Sequence, residues 1–232
     1  MIYRAEISTK EQLSEALVVS DFEYIYAPME FLNADTPEKN WIIAVPPVFI
    51  GGNESDIAER LRELKQSGFK GVLAHTLGHI ELIKSAGLCV HGGFRLNITN
   101  TRALKKYIET GLKDAVSSAE KQVSGAGIIA YGKIPLMLLR RCPVRDNNPC
   151  GKSGCNSLTD RHGNKMQTLC RFGEVEILNP YPIVLSDKKI TADFAVLKFS
   201  PGENISKLLE MYRRALPASE KFTRGLYFKK VK

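Results

Sequence analysis

The sequence contains no apolar run of about 18 residues, so no segment is expected to cross a membrane as a helix. Its first residues, Met1-Ile2-Tyr3-Arg4-Ala5-Glu6, lack the apolar stretch of a secretion signal, and a cytoplasmic location is expected. There is no internal repeat and no low-complexity tract. The H-E-x-x-H pair of zinc proteases is missing, as is the G-x-S-x-G turn of serine hydrolases. Five cysteines are present, but none form C-x-x-C pairs. In a chain read as cytoplasmic they argue against a disulfide framework and for metal binding or catalysis.

The chain has 232 residues, 44% of them hydrophobic, which suffices for one large domain with a core. Short apolar runs alternate with amphipathic stretches. Strands are expected at 2–7, 22–26, 41–49, 71–74, 88–96, 114–117 and 128–131, and again at 174–178 and 194–199. Helices are expected after Ser8, with Glu11 completing a capping box, and at 55–67, 80–86, 101–110 and 205–215. In the helix at 55–67, Ile57, Leu61 and Leu64 share one face, and Gly68 ends it. Such alternation predicts a mostly parallel sheet and an α/β fold. Its length and number of units favour a TIM-barrel-like (β/α) barrel, with an incomplete or irregular one as the variant, over residues 1–232.

The pattern changes at Pro135. Residues 140–171 are polar, contain glycine and carry four of the five cysteines. They read as an insertion at the barrel top, organised by something other than an apolar core. Seven residues separate Cys142 from Cys150, four separate Cys150 from Cys155, and fourteen separate Cys155 from Cys170. Thiolates are soft ligands that suit zinc or an iron–sulfur cluster. The spacing matches neither a zinc ribbon nor the common ferredoxin runs, so it leaves the metal open. Arg140, Arg141, Arg145, Lys152, Arg161 and Arg171 surround the cysteines and would favour thiolates and an anionic centre. Cys89, in an apolar strand, reads as a small core residue.

Other candidates are weaker. His75 follows a buried strand, and strand C-terminal ends face the active site of a barrel, so it is a candidate acid–base or substrate-binding residue. His79 stands four residues on, with Gly78 disfavouring a helix between the two, and His91 lies on the next strand. Asn97 and Asn100 follow a strand end, where they can bind substrate or make a turn. The net charge of +8 fits either a polyanion partner such as RNA or simply a lysine-rich surface. The tail, with Lys221, Arg224, Lys229, Lys230 and Lys232 among Phe222, Tyr227 and Phe228, reads as an RNA-holding segment or as a solvated end.

Several segments together resemble the peptidase U32 family, the collagenase-like peptidases. They are Tyr131-Gly132-Lys133-Ile134-Pro135-Leu136-Met137, Arg141-Cys142-Pro143, Leu158-Thr159-Asp160-Arg161, Cys170-Arg171 and Ile177-Leu178-Asn179. Phe94-Arg95-Leu96-Asn97-Ile98-Thr99-Asn100, Ser118-Ala119-Glu120 and Phe222-Thr223-Arg224-Gly225 add to them. The resemblance implies an α/β-barrel-type fold and a 4Fe–4S cluster on Cys142, Cys150, Cys155 and Cys170. It also implies a part in hydroxylating a tRNA or ribosomal RNA base or the ubiquinone ring, with a small-molecule oxygen donor. His75, Asn97 and Glu120 are then the catalytic candidates. Other members carry a peptidase label, so a collagenase-like peptidase with a structural zinc is the alternative. The chain is short and resembles the last barrel module of longer relatives, which implies a partner protein, a second module or a non-catalytic role.

Overall fold

The computed structural model of the chain describes residues 1–19, 21–49, 51–143 and 157–228. Eight strands form its main parallel sheet: β1 (Tyr3–Glu6), β2 (Phe22–Pro28), β3 (Ile42–Val45), β4 (Gly71–Ala74), β5 (Cys89–Gly92), β6 (Leu112–Ala115), β7 (Ile128–Gly132) and a later strand, β13 (Ala195–Lys198). Short strands β8 (Pro135–Leu139), β9 (Ser157–Thr159), β10 (Lys165–Arg171), β11 (Glu174–Leu178) and β12 (Ile183–Val184) come between the last two. The helices are α1 (Lys10–Val19), α2 (Glu54–Gln66), α3 (Leu77–Ser85), α4 (Thr101–Glu109) and α5 (Ile205–Arg213).

The large sheet runs β12-β7-β13-β1-β2-β3-β4-β5-β6, and every pairing is parallel except that of β12 with β7. It curls into a partial barrel. Past β6, Val116 bridges Gly127 in parallel, just before β7. This seam shows in the hydrogen bonds. Ile128 N–H donates to Phe194 on the β13 side, so Gly127 and Ile129 turn theirs toward β6. Gly127 finds the Ala115 carbonyl at 2.9 Å. Ile129 instead donates to the Tyr227 hydroxyl at 3.3 Å. Farther along, β12 pairs with Tyr131 and Gly132. The C-terminal segment and β12 thus occupy the edge that β6 leaves open, and few strand groups stay unpaired there.

Side chains alternate along the strands as period-2 geometry requires. Ile25, Ile42, Ala44, Val72, Val90, Ile128 and Ala195 join the core under the helices, with Leu61, Leu64, Ile83 and Leu209. Tyr26, Ile43, Val45, Leu73, Val116, Ile129, Phe194 and Val196 form a second, inner cluster. Among the described residues no helix is long and apolar enough to cross a membrane.

Several local expectations shift. The capping box starts one residue later: Thr9 Oγ1 accepts from Gln12 N–H, and the Gln12 side chain returns to Ser8 N–H at 2.8 Å. The strand expected at 41–49 is only β3, because Pro46 and Pro47 cannot donate to a ladder. The strand expected at 88–96 is β5 followed by a 3-10 turn at Phe94–Leu96. Gly78 lies inside α3 rather than preventing it. The block at 140–171 also contains strands. β8, β11, β10 and β9 form a small antiparallel sheet in that order, with Leu169, Val175 and Ile177 buried.

Candidate functional site

The small sheet lies over the C-terminal ends of the barrel strands. Between the two is a cavity of about 30 Å³, room for a water or two. Glu6, His75 and Lys198 line it from the ends of β1, β4 and β13, and Phe94 and Arg95 from the turn after β5. Leu169, Arg171, Phe172, Glu174 and Glu176 line it from the roof. The charges are paired across it. Lys198 Nζ meets Glu6, both nearly buried, and Arg95 meets Glu176. Glu174 accepts from the backbone N–H groups of Val48 and Phe49, tying the roof to the loop after β3. Burial raises the Glu174 carboxyl above its usual range, although these two donors oppose the shift.

His75 is the sequence candidate this cavity does contain. It is 6% exposed, and its Nδ1 has no hydrogen-bond partner among the described residues. Burial pushes it well below the ordinary histidine range, and the nearby cations Arg95, Lys198 and Arg171 and the His79 ring reinforce that. At neutral pH it is an uncharged imidazole with one open nitrogen. Gly93 makes room for it, since a Cβ there would lie 3.2 Å from His75 Nδ1. His79 has a supporting role. It sits in the first turn of α3, is 1% exposed, and its Nδ1 accepts from His75 N–H at 3.0 Å. Burial holds His79 down to about 4, against the opposing effect of the Pro47 carbonyl.

Asn97 and Glu120 lie elsewhere. Both are exposed and line a neighbouring open cleft of about 570 Å³ with Ser118, Ile134, Asn179 and Tyr181. Phe94 and Arg95 line both spaces and so join them. Asn97 adopts a left-handed backbone at φ 53°, ending the 3-10 turn. Asn100 caps α4, accepting from Ala103 N–H at 2.8 Å, which is its turn role rather than a substrate role.

Of the four expected metal ligands, Cys142 and Cys170 are described; Cys150 and Cys155 lie outside the described residues. Cys170 is on β10 between two cavity-lining residues, Leu169 and Arg171, and therefore on the opposite face of the strand. Leu139, Val175 and Cys170 stand in one row across β8, β11 and β10, and Cys142 follows Leu139 by three residues. Two donors thus belong to the same end of the roof. Among the described residues no group of three or more His, Cys, Asp or Glu is placed to hold a metal.

The tail is docked as far as it is described. Arg224 makes two bonds to the Asp187 carboxylate and one to the Val184 carbonyl, so its guanidinium is committed. Lys229, Lys230 and Lys232 lie outside the described residues. Sequence reasoning missed Glu6, Lys198 and Glu176, although a charged residue closing an apolar barrel strand is a signal for the functional face. Comparison with protein-family models, with curated proteins and with solved structures returned no match.

Proposed function

We propose that this chain is an irregular (β/α) barrel of the TIM type that binds a 4Fe–4S cluster through Cys142, Cys150, Cys155 and Cys170. In this reading it takes part in hydroxylating an RNA base, as the resemblance to the peptidase U32 family implies. The observation that carries the proposal is the roof: the sheet that closes the polar cavity over the strand ends also bears Cys170 and leads into Cys142. A soft thiolate set with arginines close in sequence suits such a cluster, and two of its members share one end of one small sheet. When bound, the cluster would supply an electron-transfer or structural centre on the roof.

The chain's own residues divide the remaining work. The cleft of about 570 Å³ is large enough for a nucleobase, and the 30 Å³ cavity is not. Phe94 offers a stacking face, and Asn97 and Glu120 offer hydrogen bonds to a base edge. His75, neutral and open at Nδ1, exchanges a proton with a water in the inner cavity. The Glu6–Lys198 pair supplies fixed charge beside it.

Anaerobic purification followed by an absorption spectrum, iron and sulfide analysis tests the cluster. Iron and acid-labile sulfide that vanish on replacing Cys142 and Cys170 by Ser are expected. A colourless protein holding one zinc would overturn the iron assignment and favour the zinc peptidase. RNA binding is expected to weaken as salt rises. A flat, salt-independent response would remove the nucleic-acid part.

A further inference from the structure

The opposite end of the barrel holds a second polar constellation, independent of the roof and of the proposed cluster. Cys89 opens β5, and His91, two residues on, shares its side of the strand. His91 Nδ1 lies 2.9 Å from Asp114 Oδ1 on β6, which fixes the proton on Nδ1 and leaves Nε2 as the acceptor. The Cys89 thiol lies near enough to the His91 side chain to interact with it. Gly71 makes this possible. It is the sheet partner of Cys89, and a Cβ there would lie 2.9 Å from His91 Nε2. Any larger residue at that position would drive the imidazole from its place. Asp114 is held in turn, its Oδ2 bonded to Arg4 at 2.9 Å. The order is thus thiol, imidazole, carboxylate, guanidinium, in which a nucleophile meets a base and the base is oriented by a third group.

We propose that Cys89, His91 and Asp114 form a reactive thiol centre at the N-terminal end of the barrel strands, with Cys89 the nucleophile toward small alkyl or acyl electrophiles. The sulfur attacks the electrophilic carbon, the S–C bond forms as the bond to the leaving group breaks, and the thiol proton rests on His91 Nε2. Asp114 positions His91 and does not touch the substrate. Further features support the assignment. Cys89 is only partly buried, so a small reagent can reach it. The Lys113 ammonium, bonded to the Tyr24 hydroxyl at 2.6 Å, adds positive charge beside the thiol. The His91 side chain is the foremost cause holding the Cys89 thiol below its usual range, while burial and Asp114 oppose the shift. The Tyr24 ring packs edge-on against His91 at 5.2 Å and completes the wall from β2.

The test is the pH profile of alkylation of Cys89 by iodoacetamide on the full chain, read peptide by peptide by mass spectrometry. That readout does not involve the roof cysteines, so it stands or falls separately from the cluster. An inflection below the ordinary thiol value near 8.5 is expected. His91→Gln is expected to move the inflection back up and to cut the rate at pH 6 by roughly tenfold. Asp114→Asn gives the same direction with a smaller change, and it is the variant to read if His91→Gln does not fold. An inflection at or above about 8.5 in the unaltered chain would overturn the proposal. So would a Cys89 that stays unreactive at every pH in the folded protein, or a profile unchanged in a folded His91→Gln variant.

Discussion

The two ends of the barrel each bury a histidine, and the two histidines are driven in opposite directions. At the upper end, His75 faces Arg95, Lys198 and Arg171 and has no carboxylate bonded to it. Burial and like charge agree, and the ring stays neutral. At the lower end, burial also opposes charge on His91, but the bonds to Asp114 and Cys89 outweigh it and raise the ring above its ordinary value. The lesson is that depth alone does not decide protonation; the nearest partner does. The upper end is built to keep an open nitrogen. The lower end is built as a saturated chain of bonds, with Arg4 spending its donors on Glu23, Tyr26 and Asp114 and stacking 3.4 Å over Phe194.

Breaking the lower chain is expected to produce the largest effect. Arg4→Leu strands the buried Tyr26 hydroxyl and one oxygen of Asp114, and about 3–5 kcal/mol of stability should be lost in urea unfolding. A loss under 1 kcal/mol would mean that water replaces Arg4 and that the two ends are less different than their bonding suggests.

The pH dependence of stability sharpens the contrast. His75 and His79 have folded values below their unfolded ones, so the unfolded chain takes up more protons and stability falls as pH drops below about 6.5. For His79, which reaches about 4, the loss amounts to roughly 3 kcal/mol once pH is near that value. His91 has the opposite sign. Its contribution is full below its unfolded value near 6.5 and is lost as pH rises through its raised folded value. Urea midpoints of His79→Gln and His91→Gln across pH 4–8 check both signs: the first should flatten the acid limb and the second the neutral one.

The smallest effect expected is at the roof. Glu174→Gln keeps the shape but weakens the bonds to Val48 and Phe49, costing about 1 kcal/mol. Hydrogen exchange at those two amides should speed up while the lower network is unchanged.

The parallel sheet was legible because its strands are buried on both faces and read as short apolar runs; β4 at Gly71–Ala74 falls where it was expected. The helix over 55–67 differs from α2 by one residue at each end, since the stripe of Ile57, Leu61 and Leu64 and the positive-φ Gly68 mark it. Of the roof only β11 was legible, as the strand expected at 174–178. β10 lines the charged cavity through Leu169 and Arg171, and Lys165–Arg171 shows no clean apolar alternation. Of the site, His75 was found from its place after a strand. Glu6 and Lys198 were passed over because they stand 192 positions apart in sequence and meet only where β1 pairs with β13. Arg4 and Asp114, 110 positions apart and five strands apart in the sheet, meet only because the sheet curls. Cys89, read as core, is drawn into chemistry by a histidine two residues away and a glycine on the adjacent strand.

The pairing of β1 with β13 also sets a clock on synthesis. Residues 3–6 emerge from the ribosome well before their second neighbour, the strand at 195–198. At about 5–20 residues per second, β1 waits roughly ten seconds or more with one edge bare. Tyr227 arrives later still, and with it the hydroxyl that Ile129 needs. β1 is therefore among the last strands of this sheet to be protected, and an aggregation-prone edge is held open while the strands between it and β13 are made.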